Sequence, residues 1–160
     1  MTPATPGDAI RIRPARQDDV SLMARWAEAM ALETEDKQLE PGVVTRGIQR
    51  ALDDANLGRY FIADIAGEPV GTLMLTWEWS DWRCGWWWWI QSVYVDTRFR
   101  RRGVYRALYA HVLALAQADP EVRGLRLYVE RDNSRAQSTY EFLGMQDAGY
   151  RMYETDLRPR

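Results

Sequence analysis

Ile90-Gln-Ser-Val-Tyr-Val-Asp-Thr-Arg-Phe-Arg-Arg-Arg-Gly-Val-Tyr-Arg-Ala-Leu108 is the stretch on which the fold of this chain turns. An apolar β-type run stops at Asp96, a basic turn follows, and Gly103 opens an amphipathic helix. The spacing of Val104, Leu108, His111 and Leu115 carries that helix to about Ala118. A helix that begins this way directs N–H groups and the positive end of its dipole at the turn, a ready seat for phosphate or pyrophosphate. Arg98, Arg100, Arg101, Arg102 and Arg106 add positive charge around it. The sequence therefore reads as a strand handing over to a helix around a phosphorylated ligand.

On the N-terminal side, Met1 to Asp8 reads as a loose tail, and residues 9–160 as one domain. Ala9–Arg13 predicts a strand, Asp18 caps a helix to about Glu33, and Pro41 starts a second helix with Val44, Ile48 and Leu52 on one side. Tyr60–Ile65 and a run from Val70 to about Trp79 form a hairpin around Ala66-Gly67, and Trp86 to Asp96 is a long strand. On the C-terminal side, Pro120 and Gly124 bound a loop, and Leu125–Val129 is a strand. A helix from about Ser134 to Leu143 is stopped by Gly144, and Gln146–Thr155 is a closing strand. The order β-α-α-β-β-β-α-β-α-β predicts an α/β protein of the α+β type. Its sheet is mixed and largely antiparallel, with helices on both faces. The long strand and Leu125–Val129 are expected to be parallel neighbours across a right-handed crossover.

Composition narrows the partners. A net charge of −2 over 160 residues gives no basic field for nucleic acid. No apolar run approaches the roughly 20 residues of a membrane helix, and the N-terminus lacks the pattern of a secretory signal. The lone cysteine, Cys84, fits a reducing cytoplasm, which is the expected location. One His and one Cys leave no metal site of the usual kind, so none is expected. Lys37 is the only lysine among 21 basic residues, so it is the only side chain that could serve as a lysine base.

Two separate segments resemble the GNAT superfamily of acyl-CoA-dependent N-acetyltransferases. One is the turn Arg100-Arg101-Arg102-Gly103-Val104-Tyr105, matching the family's Gln or Arg, two residues, Gly, one residue, then Gly or Ala. The other is Asn133-Ser-Arg-Ala136-Gln-Ser-Thr-Tyr140-Glu-Phe-Leu-Gly144, similar to the family's Asn-x-x-Ala…Tyr…Gly segment. Arg101 and Tyr105 depart from the pattern, standing where the family often has glycine, or glycine or alanine; Gly103 is the one glycine left in the turn.

The resemblance implies an enzyme that moves an acetyl group from acetyl-CoA to a primary amine of a small molecule or peptide, by direct attack in a ternary complex. It implies that the pantetheine arm pairs with the backbone of Ser92–Val95 (Val93, Tyr94 and Val95 in particular) as an added strand. It implies that the pyrophosphate meets Arg100, Arg101, Arg102, Gly103, Val104, Tyr105 and Arg106, and that Asn133, Ala136 and Tyr140 complete the cofactor set. Tyr140 then protonates the departing thiolate. The amine must lose a proton, and no Glu lies between Trp86 and Val95, where the family often has one. Glu78, with Asp81 near it, is the first candidate base; Glu33 and Glu35 come second, and His111 reads as a packed core residue. All but one of the eight tryptophans lie between Trp77 and Trp89, as core, homodimer interface or wall for a cationic amine. A CoA-binding sensor without transferase activity is the alternative.

Overall fold

Strands β1 (Ile10–Pro14), β2 (Arg59–Ile65), β3 (Glu68–Ser80), β4 (Gly85–Val95) and β5 (Val122–Arg126) lie side by side in chain order in one sheet. The first four pair antiparallel, and β4 pairs parallel with β5, as expected for a mixed sheet. This computed structural model describes residues 9–158. The helices are α1 (Val20–Glu35), α2 (Pro41–Asp53), α3 (Val104–Ala118) and α4 (Ser134–Phe142). The chain divides into two compact units: one, through Leu127, holds the sheet with α1, α2 and α3, and the other, from Tyr128 onward, holds α4.

Period-two alternation sends neighbouring residues of β2 to opposite faces. Phe61 meets the ring of His111 on α3, with centroids 5.0 Å apart. The next residue, Ile62, joins Val20, Met23, Ala24 and Trp26 of α1 and Ile48 of α2 in a buried cluster. Helices therefore cover both faces. On α3 the buried stripe is Val104, Leu108, Val112 and Ala116, with Tyr109 beside it, while Leu115 is exposed. The β2–β3 turn places both Ala66 and Gly67 at positive φ, which matches the twist of the strands it joins.

Three boundaries differ from the sequence reading. β5 begins at Val122 and passes through Gly124, which the sequence suggests as a loop boundary. A side chain at Gly124 would put its Cβ 2.5 Å from the Trp87 ring, so this glycine makes room for an indole within a strand. No strand forms over 146–155: Gly149 sits at φ 72° and its N–H donates to the Asp147 carboxylate, a local turn in place of a ladder. Nor does Asp18 cap α1. A short 3-10 turn, Gln17–Asp19, precedes the helix, and the Asp19 carboxylate accepts the Arg16 N–H at 2.7 Å. The expected tail, Met1 to Asp8, lies outside the described residues.

Asp19 also takes the Arg13 guanidinium in a two-pronged bond at 2.7 and 2.9 Å, while Arg13 Nε reaches Asp64 on β2 at 2.7 Å. The Arg13 bond is the main cause holding the Asp19 carboxyl below its ordinary range. A lowered folded value means that its stabilisation is complete above about pH 4 and is lost as pH falls through the folded value. Asp19→Ala is expected to cost about 2 kcal/mol at pH 7 in urea unfolding, and the gap to wild type should shrink as pH falls below about 4, through the lowered folded value.

Candidate active site

The free edge of β4 is the starting point. β5 pairs with β4 only from Trp86 to Trp89, so from Ile90 to Val95 the strand has a ladder partner on its β3 side alone. The β3–β4 register also slips here. Thr72 faces Tyr94 and Met74 faces Gln91, so one residue of β3 lies between these pairs and two of β4 do. The extra residue makes a bulge, and Ser92 takes φ 48°, in the left-handed region. Ile90 opposite Leu75 and Tyr94 opposite Thr72 would share a face in a regular strand. Leu75 and Thr72 are three residues apart on β3, so the bulge turns Tyr94 to the face opposite Ile90.

The basic turn follows directly. Asp96 caps a short 3-10 turn, Thr97–Phe99, by accepting the Arg98 N–H at 3.0 Å. The Arg98 guanidinium binds the same carboxylate, which holds the Asp96 carboxyl below its usual range, and also pairs with Glu68 at 2.9 Å. Arg100 donates to the Val95 carbonyl at 3.0 Å and to Glu33 of α1 at 2.7 Å, with its guanidinium 5.4 Å from the centre of the Tyr94 ring. Gly103, at φ 83°, is the N-cap of α3, whose first turn opens on this loop. Arg101 holds φ 64°, a backbone state that costs a side-chain-bearing residue roughly 1 kcal/mol or more. Here lies the physical meaning of the departure from glycine: Arg101 occupies the position strained, and the turn keeps its shape.

In the second unit, Asn133 caps α4, its Oδ1 accepting the Ala136 N–H at 3.1 Å. Asn133, Ala136 and Tyr140 fall at helical spacing along one side of α4. Burial pushes the Tyr140 phenol above its ordinary value, so it stays protonated at neutral pH.

The carboxylates separate clearly. Glu78 stands opposite Trp87, accepts from Trp89 Nε1 and pairs with Arg126 at 2.6 Å. Five strand residues separate Trp87 from Ser92, roughly 17 Å, so Glu78 is not brought to the bulge. Asp81 closes the exposed β3–β4 turn, accepting the Trp82 N–H, and Glu35 pairs with Lys37. Glu33 is the carboxylate brought to this end: besides Arg100, it accepts the Tyr94 hydroxyl at 3.2 Å. His111 packs on Phe61, and burial lowers its pKa, so it stays neutral.

Beside the bulge, a cavity of about 250 Å3 opens between α1, α2 and β2–β4, with Ser92, Tyr94, Thr72 and Tyr60 in its wall. Burial raises the Tyr60 phenol, and a hydrogen bond with Ser92 offsets part of that rise. The cavity is not apparent in the sequence, because its residues come from five separate elements. None of the clustered tryptophans lines it. Trp77 packs edge-on against Trp88 and Trp79 against Trp86 as cross-strand pairs, and the guanidinium groups of Arg83 and Arg126 lie 5.4 and 4.0 Å from the centre of the Trp87 ring. Among the described residues, no group of His, Cys, Asp and Glu could hold a metal, and no helix is long and apolar enough to cross a membrane.

The model of the Acetyltransferase (GNAT) family matches residues 23–145. A possible acetyltransferase from Clostridium difficile 630 is 41% identical, with a TM-score of 0.87 over 94% of this chain and 99% of that one. A transcriptional regulator from Bacillus halodurans C-125 is 20% identical, with a TM-score of 0.80 over 92% of this chain and 100% of that one. A predicted acetyltransferase with acetyl-CoA from Clostridium acetobutylicum is 16% identical, with a TM-score of 0.73 over 92% and 96% of the two chains. None of the curated proteins matches the chain.

Arg101→Gly relieves the strain of φ 64° and should raise stability by about 1 kcal/mol in chemical unfolding. An unchanged or lowered midpoint would mean that contacts of the arginine side chain outweigh the strain.

Proposed function

Because the chain belongs to the GNAT acetyltransferase family, we propose that it moves an acetyl group from acetyl-CoA to a primary amine of a small molecule or peptide, by direct attack in a ternary complex. The observation that carries this reading is the succession of free strand edge, bulge, basic turn and helix start within residues 90–106. The edge offers unpaired strand backbone to the amides of the pantetheine arm, around Val93 and Val95. The α3 start offers backbone N–H groups and a positive dipole to the pyrophosphate, with Gly103 allowing close approach. Arginines 100, 101, 102 and 106 supply the charge. Acetyl-CoA brings the activated thioester; the protein holds it, orients the amine and handles two protons.

An ammonium with a lysine-like pKa costs about 4–5 kcal/mol to deprotonate at pH 7. Glu33 takes the base role in place of Glu78. It lies one turn beyond the cavity residue Met30 on α1 and is tied to the cavity wall through the Tyr94 hydroxyl. The amine then attacks the thioester carbonyl, the tetrahedral adduct collapses, and the C–S bond breaks. Tyr140 gives its proton to the departing sulfur. A phenol that burial holds above its ordinary value remains protonated until that step.

Tyr140→Phe is expected to lower kcat roughly 100-fold or more in a thiol-release assay while acetyl-CoA affinity by calorimetry stays within about twofold. Equal turnover would remove the acid role. Cofactor binding with no turnover on any amine would leave a CoA-binding module without transferase activity.

A further inference from the structure

The cavity beside the bulge differs in character from the basic turn. Its wall is built largely of Met23, Met30, Leu39, Val44 and Ile48, and among the described residues no charged side chain lines it. Its two phenols already have partners: Tyr94 donates to Glu33, and Tyr60 bonds with Ser92. Besides these phenols, only the hydroxyls of Thr72 and Ser92 are polar side-chain groups among the described lining residues, so a ligand rich in hydroxyls would lose more water than the wall replaces. Each methylene would instead gain by leaving water. The volume, about 250 Å3, lies below the roughly 300–1,000 Å3 of sites that enclose a whole drug-sized ligand, so it suits one side group.

Gly47 adds an independent sign. It lies in the middle of α2, where glycine costs about 1 kcal/mol relative to alanine. It lines the cavity, and a Cβ built on it would meet nothing within 4 Å. No packing conflict within the protein therefore calls for glycine at this position. Gly47 is itself exposed, so the missing side chain leaves the mouth of the cavity open.

We propose that this cavity receives the hydrocarbon body of the acceptor, so that the substrates are monoamines with an aliphatic or aromatic group rather than aminosugars or polyamines. This rests on the transferase reading. The amine lies at the Tyr94 side of the cavity, within reach of Glu33, and the hydrocarbon lies between α1 and α2.

The test uses the full chain and thiol release from acetyl-CoA with 2-phenylethylamine and hexylamine against spermidine, glucosamine and an aminoglycoside. The first pair should show kcat/KM at least tenfold above the others. Gly47→Leu, which sets a side chain and a better helix former at the cavity mouth, should cut kcat/KM for 2-phenylethylamine tenfold or more through KM, with acetyl-CoA affinity and melting temperature preserved. Preference for the polar amines, or indifference to Gly47→Leu, would overturn the proposal while leaving the transferase intact. Should no amine release thiol, calorimetry of 2-phenylethylamine with the CoA-bound protein decides. Binding lost in Gly47→Leu would sustain the apolar site without the transferase, and absence of binding would overturn both.

Discussion

β4 runs from Gly85 to Val95, and its neighbour β5 stops pairing with it at Trp89. The proposed cofactor site depends on that shortfall. A strand paired on both sides has no backbone to offer; one released on one side exposes a row of donors and acceptors that another extended molecule can use. Release begins just before the bulge, and the bulge comes just before the basic turn. An extended ligand lying along the edge is thus led by chain connectivity to the start of α3.

A second link joins this end of the sheet to α1. Glu33 is held by Arg100 from the turn and by Tyr94 from β4, and Arg100 itself is anchored to the Val95 carbonyl. The three side chains belong to a helix, a strand and the loop that follows that strand. Such a cluster fixes the arginine's guanidinium between its partners, which lowers the entropy lost when an anion arrives.

Much of this was readable in the residues. The β4–turn–α3 unit follows from an apolar run, a charged turn and a glycine, because each of those signals is local. The hairpin at Ala66-Gly67 and the two N-terminal helices are local in the same sense. Gly124 misled because its reason is distant: it makes room for Trp87, a residue on another strand. The expected strand over 146–155 carries Tyr150, Met152 and Tyr153, yet Gly149 and Asp147 close a turn within it. At the site, the turn was legible and the placement of the carboxylates was not. Glu78 looked well placed along the strand, but its partners Arg126 and Trp89 appear only when β3, β4 and β5 are laid side by side. The bulge left no mark in Ser-Val-Tyr-Val, which reads as regular strand.

That bulge makes the backbone path of β4 a stricter requirement than its composition. Ile90 and Tyr94 are four residues apart, and four steps of regular strand would carry Tyr94 through the sheet to the face of Ile90. The bulge absorbs one of those steps and keeps Tyr94 on the opposite face. With the strand straightened, the cavity would lose a wall and Glu33 its hydroxyl partner, though every side chain kept its chemistry. Which residues of β4 meet the helices is thus decided by a left-handed backbone step at Ser92 and not by any side chain.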